Sequence, residues 1–499
     1  MVKDPIKSDL YDFILHKFPF EPTEEQAEAV SLWCDFLLST NRDEICLLRG
    51  YAGTGKTTLV GALVRALDEL HRPVVLLAPT GRAAKVFSLH AGHPAYTIHK
   101  KIYRQREFSA EMINFQSNVN NHRHTLFIVD ESSMIANEGF AGSVFGTGRL
   151  LDDLIHYVYA GEGCRLMLVG DSAQLPPVGE ELSPALSPDA LSAYGFLVRQ
   201  TQLSQVLRQS LESGILWNAT MLRRLISSDE MAVFPRLSVS AFPDVCVVEG
   251  QDLVETLEES YGRCGIDQTI VVTRSNRRAN IFNNGIRGRI LMYEDELVSG
   301  DQLIVVRNNY YWLTDESDAP EASAQHAGTE PAERAATDFI ANGDICEVRR
   351  LRNVRSLYGF RFADALLRFP DFDDMELQAT ILLDTLQSEA PALTQEQQRQ
   401  LFDAVCADYP ELTNRRDLMK KIKEDPYYNA LQVKFSYAVT CHKAQGGQWQ
   451  HVFIDQGYVT QDMLSPDYFR WLYTALTRAT EKVYLVNWPS QQLEGKSEK

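Results

Sequence analysis

Residues 45–70 constrain this chain more than any other stretch. "ICLLRG" (Ile45–Gly50) is a short apolar run that ends in a glycine, and "YAGTGKTTL" follows it directly. From Lys56 to Leu70 the apolar residues recur at helical spacing. A buried parallel strand, a tight glycine turn and a helix are the expected elements. The turn matches G-x-x-x-x-G-K-[ST] through Gly50, Gly55, Lys56 and Thr57. Such a loop lets backbone N–H groups wrap phosphates while the following helix turns its positive end toward them. Lys56 is expected to reach the β- and γ-phosphates and Thr57 to ligate Mg²⁺. Gly53, Thr54 and Thr58 complete the expected nucleotide-binding set. ATP and Mg²⁺ are the expected cofactors.

Three further runs repeat the pattern of an apolar strand closed by a polar residue: "PVVLLAPT" (73–80), "TLFIVDE" (125–131) and "RLMLVGD" (165–171). Strands alternating with helices imply a doubly wound parallel sheet, whose ligands sit at the carboxyl ends of its strands. Asp130 at such an end is expected to hold the Mg²⁺ shell, with Glu131 polarising the attacking water. Gln174, in "VGDSAQLPPVG" (169–179), is expected to sense the γ-phosphate or orient that water; polar surface in a Pro-rich turn is the alternative. Arg208 and Arg478 stand far downstream. As arginine fingers they would stabilise the charge of a transferring phosphoryl group across a cleft; a salt-bridged helix residue is the ordinary fate of either.

At 499 residues the chain is too long for one ordinary core. A second α/β unit is expected from "QTIVVTRSN" (268–276), "DQLIVVRNN" (301–309), "VKFSYAVT" (433–440), "QHVFID" (450–455) and "KVYLVN" (482–487). Residues 345–430 alternate like antiparallel strands and then read as helices, so they are expected to be an insertion.

The net charge of −18 argues against a nucleic-acid partner when taken alone. A groove needs only local charge, however. Residues 80–124 carry Arg82, Lys85, Lys100, Lys101, Arg104, Arg106 and Arg123 against Glu107 and Glu111, while 312–339 is acidic and rich in Ala and Pro. The eight cysteines are scattered with none at C-x-x-C spacing, so reduced thiols and a cytoplasmic location are expected, without a zinc site. No apolar run approaches the roughly 18 residues of a membrane helix.

In their order along the chain these motifs resemble superfamily 1 helicases, and most closely the RecD/Dda-like, 5′-to-3′ branch. The match runs from "FEPTEEQAEAV" (20–30) to "LYTALTRATEKVYLV" (472–486). Gln26 falls where that family's Q motif reads the adenine edge. "GYAGTGKT", "VDESSM" and "GDSAQLPPV" look like motifs I, II and III; "APTGRAAK" (78–85) and "TIHK" (97–100) look like Ia and Ib; "VTCHKAQGGQW" (439–449) resembles V. Arg208 takes the motif IV position and Arg478 lies in motif VI. Gln448 stands near the place where relatives often put an acidic residue against the ribose.

The resemblance implies two RecA-like P-loop NTPase domains in an α/β fold, with a small 1B wedge and an SH3-like or mixed 2B insertion. The implied boundaries are 1–86 plus 125–200 for domain 1A, 87–124 for 1B, 201–344 plus 431–499 for 2A, and 345–430 for 2B. Thr80, Arg82, Lys85, Thr97, His99, Thr440, His442 and Lys443 would hold a phosphate backbone without reading sequence. For Thr97 the alternative is a helix N-cap, and for the two histidines a structural role. Tyr103 and Phe108 would stack bases, or else form the wedge's own small core. The implied activity is ATP-dependent translocation on single-stranded DNA and opening of duplex at single-strand/double-strand junctions by a monomer, in repair or recombination. An RNA helicase of the Upf type and a DNA-stimulated translocase that unwinds little stay open as alternatives.

Overall fold

The computed structural model describes residues 5–105, 115–138, 146–205, 212–309, 311–313, 340–412 and 414–494. Arg208 and Phe108 lie outside the described residues. The first stretch runs α1 (Pro5–His16), α2 (Glu24–Leu38), β1 (Glu44–Gly50), α3 (Lys56–Glu69), β2 (Val74–Ala78), α4 (Gly81–Ala91), β3 (Ala95–Thr97) and α5 (Ile98–Ile102). The hairpin strands β4 (Tyr103–Gln105) and β5 (Phe115–Ser117) come next, then β6 (Leu126–Val129), α6 (Leu150–Ala160), β7 (Arg165–Gly170), α7 (Pro188–Ser192) and β8 (Leu197–Leu203). Six of these strands form a wholly parallel sheet in the order β3-β2-β6-β7-β1-β8.

Local chemistry accounts for these elements. Thr23 and Gln26 close a reciprocal capping box at the start of α2. Strands β2 and β6 are buried throughout, as continuous apolar runs in the middle of a parallel sheet must be. Trp33, Phe36, Leu48, Phe87 and Ile128 share the core beneath them with Ile14 of α1. Strand β8 escapes a sequence reading because it lies at the sheet edge, and its "LVRQTQL" is mostly polar and half-exposed.

The chain continues through α8 (Gly214–Ser228), β9 (Leu237–Ser238), β10 (Val245–Val248), α9 (Leu253–Cys264), β11 (Thr269–Thr273) and α10 (Asn276–Gly285). After the intervening region come β12 (Gln302–Val305), β13 (Ile345–Leu357), β14 (Phe360–Phe369), β15 (Met375–Leu382), α11 (Gln395–Cys406), α12 (Arg415–Lys423) and β16 (Leu431–Phe435). The last stretch holds β17 (Ala438–Thr440), α13 (Cys441–Ala444), β18 (Trp449–Asp455), α14 (Pro466–Leu476), β19 (Ala479–Val486) and β20 (Leu493–Glu494). A second parallel sheet has the order β10-β19-β18-β11-β17.

The chain divides into two compact units, and both parallel sheets belong to the first. The second unit covers 294–436 and is built on a closed barrel of β12, β13, β14, β15 and β16. Phe360, Phe362, Leu382, Leu401, Val405 and Ile422 form a core shared by its strands and by α11 and α12.

The barrel corrects the strand assignment drawn from sequence. "DQLIVVRNN" belongs to it and not to the second sheet. "VKFSYAVT" divides, so that residues up to Phe435 close the barrel against β12 while Ala438–Thr440 pair with β11. A short apolar run reads the same in either setting, because both bury two faces.

Among the described residues, no helix is long and apolar enough to cross a membrane.

Candidate active site

Strand β1 delivers the glycine loop at its carboxyl end, and α3 starts at Lys56. A Cβ on Gly50 would come within 2.8 Å of the Lys56 side-chain stem, so only glycine lets the lysine fold back over the loop. Lys56 Nζ donates to the Tyr51 carbonyl at 2.9 Å, as does Thr54 Oγ1 at 2.8 Å. Gln26 braces the loop from behind: its amide nitrogen donates to the Thr54 carbonyl at 3.0 Å, and its carbonyl oxygen accepts from Thr23 N at 3.0 Å. The second amide hydrogen of this buried side chain has no acceptor among the described residues.

Asp130 follows β6 and Glu131 follows it, with a left-handed backbone at φ 51° that a glutamate adopts only under constraint. The Glu131 amide donates to Asp130 Oδ1 at 2.8 Å. Burial first, and then the charge of Glu131, push the Asp130 carboxyl up to about 6. Asp171 sits at the end of β7, where burial also raises it. A cradle open at its glycines, two carboxylates and Thr57 fit a nucleoside triphosphate with its divalent cation.

The second sheet supplies the rest of the site through α14 and the residues just after it. Arg470 donates to the carbonyls of Ser172 and Gln174. The Tyr473 hydroxyl donates to Asp171 Oδ2 at 2.6 Å and accepts from Ala52 N at 2.9 Å. Thr474 Oγ1 accepts from Leu175 N at 2.9 Å. Arg478, only 4% exposed, donates to the Thr474 and Gly447 carbonyls and brings a guanidinium nitrogen 3.9 Å from Glu131 Oε1. Gln445 donates to the Leu175 carbonyl at 2.8 Å. Gln174 Oε1 is buried with no hydrogen-bond partner among the described residues, an acceptor ready for a water or a ligand donor.

Of the expected catalytic residues, Lys56, Glu131, Gln174 and Arg478 thus lie on one set of strand ends and the facing helix. Sequence reading missed Arg470, Tyr473 and Thr474. Their i, i+3, i+4 spacing just before Arg478 was the available signal, since such positions share one helical face.

The expected strand-binding residues stand where parallel strands hand over to helices. Thr80 caps α4 by accepting from Ala83 N, and Thr97 caps α5 by accepting from Lys100 N. Thr440 holds the same position before α13 without a side-chain cap bond. Lys85 and Lys443 are half-buried; His442 and Gln448 are exposed. Arg82 is already engaged: it donates to the Gln448 carbonyl at 2.8 Å, and its guanidinium lies 4.0 Å from the Trp449 ring centre. A Cβ on Gly446 would come 2.9 Å from Ala83 Cβ and 3.1 Å from Thr80 Oγ1, so the glycine permits close approach of these two loops.

Desolvation brings His99 down to about 4, so at neutral pH its ring is a neutral hydrogen-bond donor rather than a cation. One expectation needs correction. Tyr103 is only 7% exposed and its hydroxyl donates to Asp153 Oδ2 at 2.7 Å. It is a packing residue at the base of the hairpin and offers no open face for a base. A phenol spends its hydroxyl where a buried carboxylate needs a donor, which the sequence does not reveal.

A cavity of about 770 Å³, lined by Leu10, Phe13, Leu37, Leu70, Leu126 and Cys164, opens at the amino-terminal ends of β6 and β7. Phosphate chemistry in such sheets belongs to the opposite ends, and none of the loop residues lines this cavity.

Comparison with known proteins agrees with this geometry. An AAA domain model matches residues 22–225, and a UvrD-like helicase C-terminal domain model matches residues 435–486. An uncharacterised protein of Acanthamoeba polyphaga mimivirus is 22% identical over 89% of this chain and 96% of its own length. The ATP-dependent RecD2 DNA helicase of Deinococcus radiodurans is 31% identical over 53% of this chain, and the conjugation protein TraI of Escherichia coli K12 is 28% identical over 55%. The chain spans 34% and 16% of those two proteins. A Pif1 helicase from Bacteroides, solved with ADP-AlF3 and single-stranded DNA, superposes over 95% of this chain and 94% of its own at 15% identity, with a TM-score of 0.44, a level that adds nothing to the argument. The phosphate loop and the paired acids lie within the first domain match and the buried arginine within the second, and together they mark the chain as an ATP-hydrolysing enzyme similar to superfamily 1 DNA helicases such as RecD2.

Proposed function

We propose that this enzyme moves 5′-to-3′ along single-stranded DNA and opens duplex at junctions without regard to sequence. The observation that carries this reading is the approach of Arg478, from the second sheet, to within 3.9 Å of Glu131 on the first. A hydrolytic set shared by two sheets links each turnover to their relative motion. Bound ATP with Mg²⁺ supplies the phosphoryl group and the free energy of its transfer. Lys56 holds the terminal phosphates, Thr57 and Asp130 hold the cation, and Glu131 draws the proton from the attacking water. Gln174 orients that water through its unspent acceptor, and Arg478 neutralises charge as it develops.

Thr80, Arg82, Lys85, Thr97, Thr440, His442 and Lys443 then hold the strand by its phosphates, with Arg82 exchanging its present contacts for the strand. Such contacts are blind to base identity. The hairpin around β4 and β5 acts as the 1B wedge, and the five-stranded barrel acts as the SH3-like 2B element. Stacking lost per opened base-pair step is about 1.4 kcal/mol, well within the free energy of one ATP.

Strand displacement on duplexes with a 5′ or a 3′ single-stranded tail tests the proposal, with Lys56→Ala as the control. Opening of the 5′-tailed duplex alone, lost in the control, is expected. Opening from the 3′ tail alone would sink the polarity. ATP hydrolysis stimulated by DNA with neither duplex opened would leave a translocase, a reading that the burial of Tyr103 favours because it removes one stacking surface from the wedge.

A further inference from the structure

The face of α14 does more than carry an arginine toward the acids. Arg470, Tyr473 and Thr474 bind, in turn, the Ser172 carbonyl, the Asp171 carboxylate and the Leu175 amide. Tyr473 alone among these three also bonds the phosphate loop. Its oxygen donates its single hydrogen to Asp171 and accepts from Ala52 N, so one atom ties the loop to the end of β7. The hydroxyl is buried, and the acceptor at its far side is a carboxylate, which makes this the stronger class of hydrogen bond. Asp171 accepts a second bond from Ala173 N at 2.9 Å, so its position is set from both its own loop and α14.

We infer that Tyr473 is a positioning residue: it holds the phosphate loop in register with Asp171 and transmits a shift of α14 to the nucleotide cradle. This inference rests on the ATPase reading above. It assigns no contact between Tyr473 and the substrate. The tyrosine acts through the Ala52 amide and the Asp171 carboxylate, and through the helix that it shares with the approach to Arg478.

Hydrogen exchange of the nucleotide-free protein, followed on peptides covering 47–59, tests the inference beside steady-state ATPase kinetics. Phenylalanine fills the same space as tyrosine, so Tyr473→Phe removes only the bridge. Loop exchange about tenfold faster is expected in the variant, with exchange in barrel peptides unchanged. The kcat should fall about tenfold while KM for ATP moves less than about threefold. Asp171→Asn should give the same pattern, and the double variant should lose less than about twofold beyond either single one. Loop exchange that does not move, or a raised KM with kcat intact, overturns the inference. The exchange readout needs no turnover, so a wild type without ATPase activity would sink the proposed function and leave this test to stand or fall by itself.

Discussion

The two parallel sheets contribute to the site in different currencies. The first sheet gives backbone and fixed charge: the loop after β1, then Asp130, Glu131 and Asp171 at adjacent strand ends. The second gives side chains from α14 and from the turns just after α13 and α14, and they reach the first sheet through hydrogen bonds and one ion-pair contact closer than 4 Å. The first half is complete in its local motif, because a glycine loop and a strand-end acid need only their own neighbours in the chain. The second half has meaning only when it is opposite the first. Local spacing therefore announces a nucleotide site, whereas the approach of Arg478 to Glu131 depends on packing between distant segments.

The sharpest way to break this contrast is Arg478→Ala. If the second sheet completes the chemistry, DNA-stimulated ATPase should fall about a thousandfold, with nucleotide affinity nearly kept. A loss under about tenfold would mean that Arg478 only packs. Glu131→Gln should cost about a hundredfold or more in kcat, since a carboxamide cannot take the water's proton. It should also show that the first sheet owns the proton transfer.

A smaller effect should appear in the pH profile. The Asp130 carboxyl is pushed up to about 6, so without bound cation it takes a proton as pH falls through that value. Activity at low Mg²⁺ should drop about tenfold per unit below it, and high Mg²⁺ should shift the midpoint down by favouring the carboxylate. The folded chain binds the extra proton over this window, so acidification from 6 toward the ordinary carboxylate range favours folding at this group. Loss of activity there without any fall in melting temperature is the expected result, and a parallel loss of fold would point elsewhere.

Much of the first sheet was legible. Its buried strands are apolar enough to be found, and Lys56, Asp130 and Glu131 lie at the strand ends that the motifs indicate. Edge strand β8 was not legible, because half its side chains face outward and are polar. Of the barrel's strands, β12 and β16 were read as part of the second sheet since they carry the same pattern as a parallel strand, whereas the alternation of the residues between them marked an insertion. Threonines 80 and 97 were singled out for a strand of nucleic acid, and each also serves as a helix cap. The two roles are compatible, because a hydroxyl that accepts from its own helix still has a hydrogen to give. Tyr103 shows the reverse: one buried carboxylate, Asp153, was enough to turn an expected platform into a strut.

The stack of Arg82 on Trp449 gives the protein an optical reporter. An indole under a guanidinium emits in a different environment from one beside a base or open water. If Arg82 lets go of the ring to take a phosphate, single-stranded DNA should change the protein's tryptophan emission, and Trp449→Phe should abolish that change. Emission indifferent to DNA would mean that the two loops stay joined while the strand passes. Arg82 would then be a rivet of the track and not a hand on the rope.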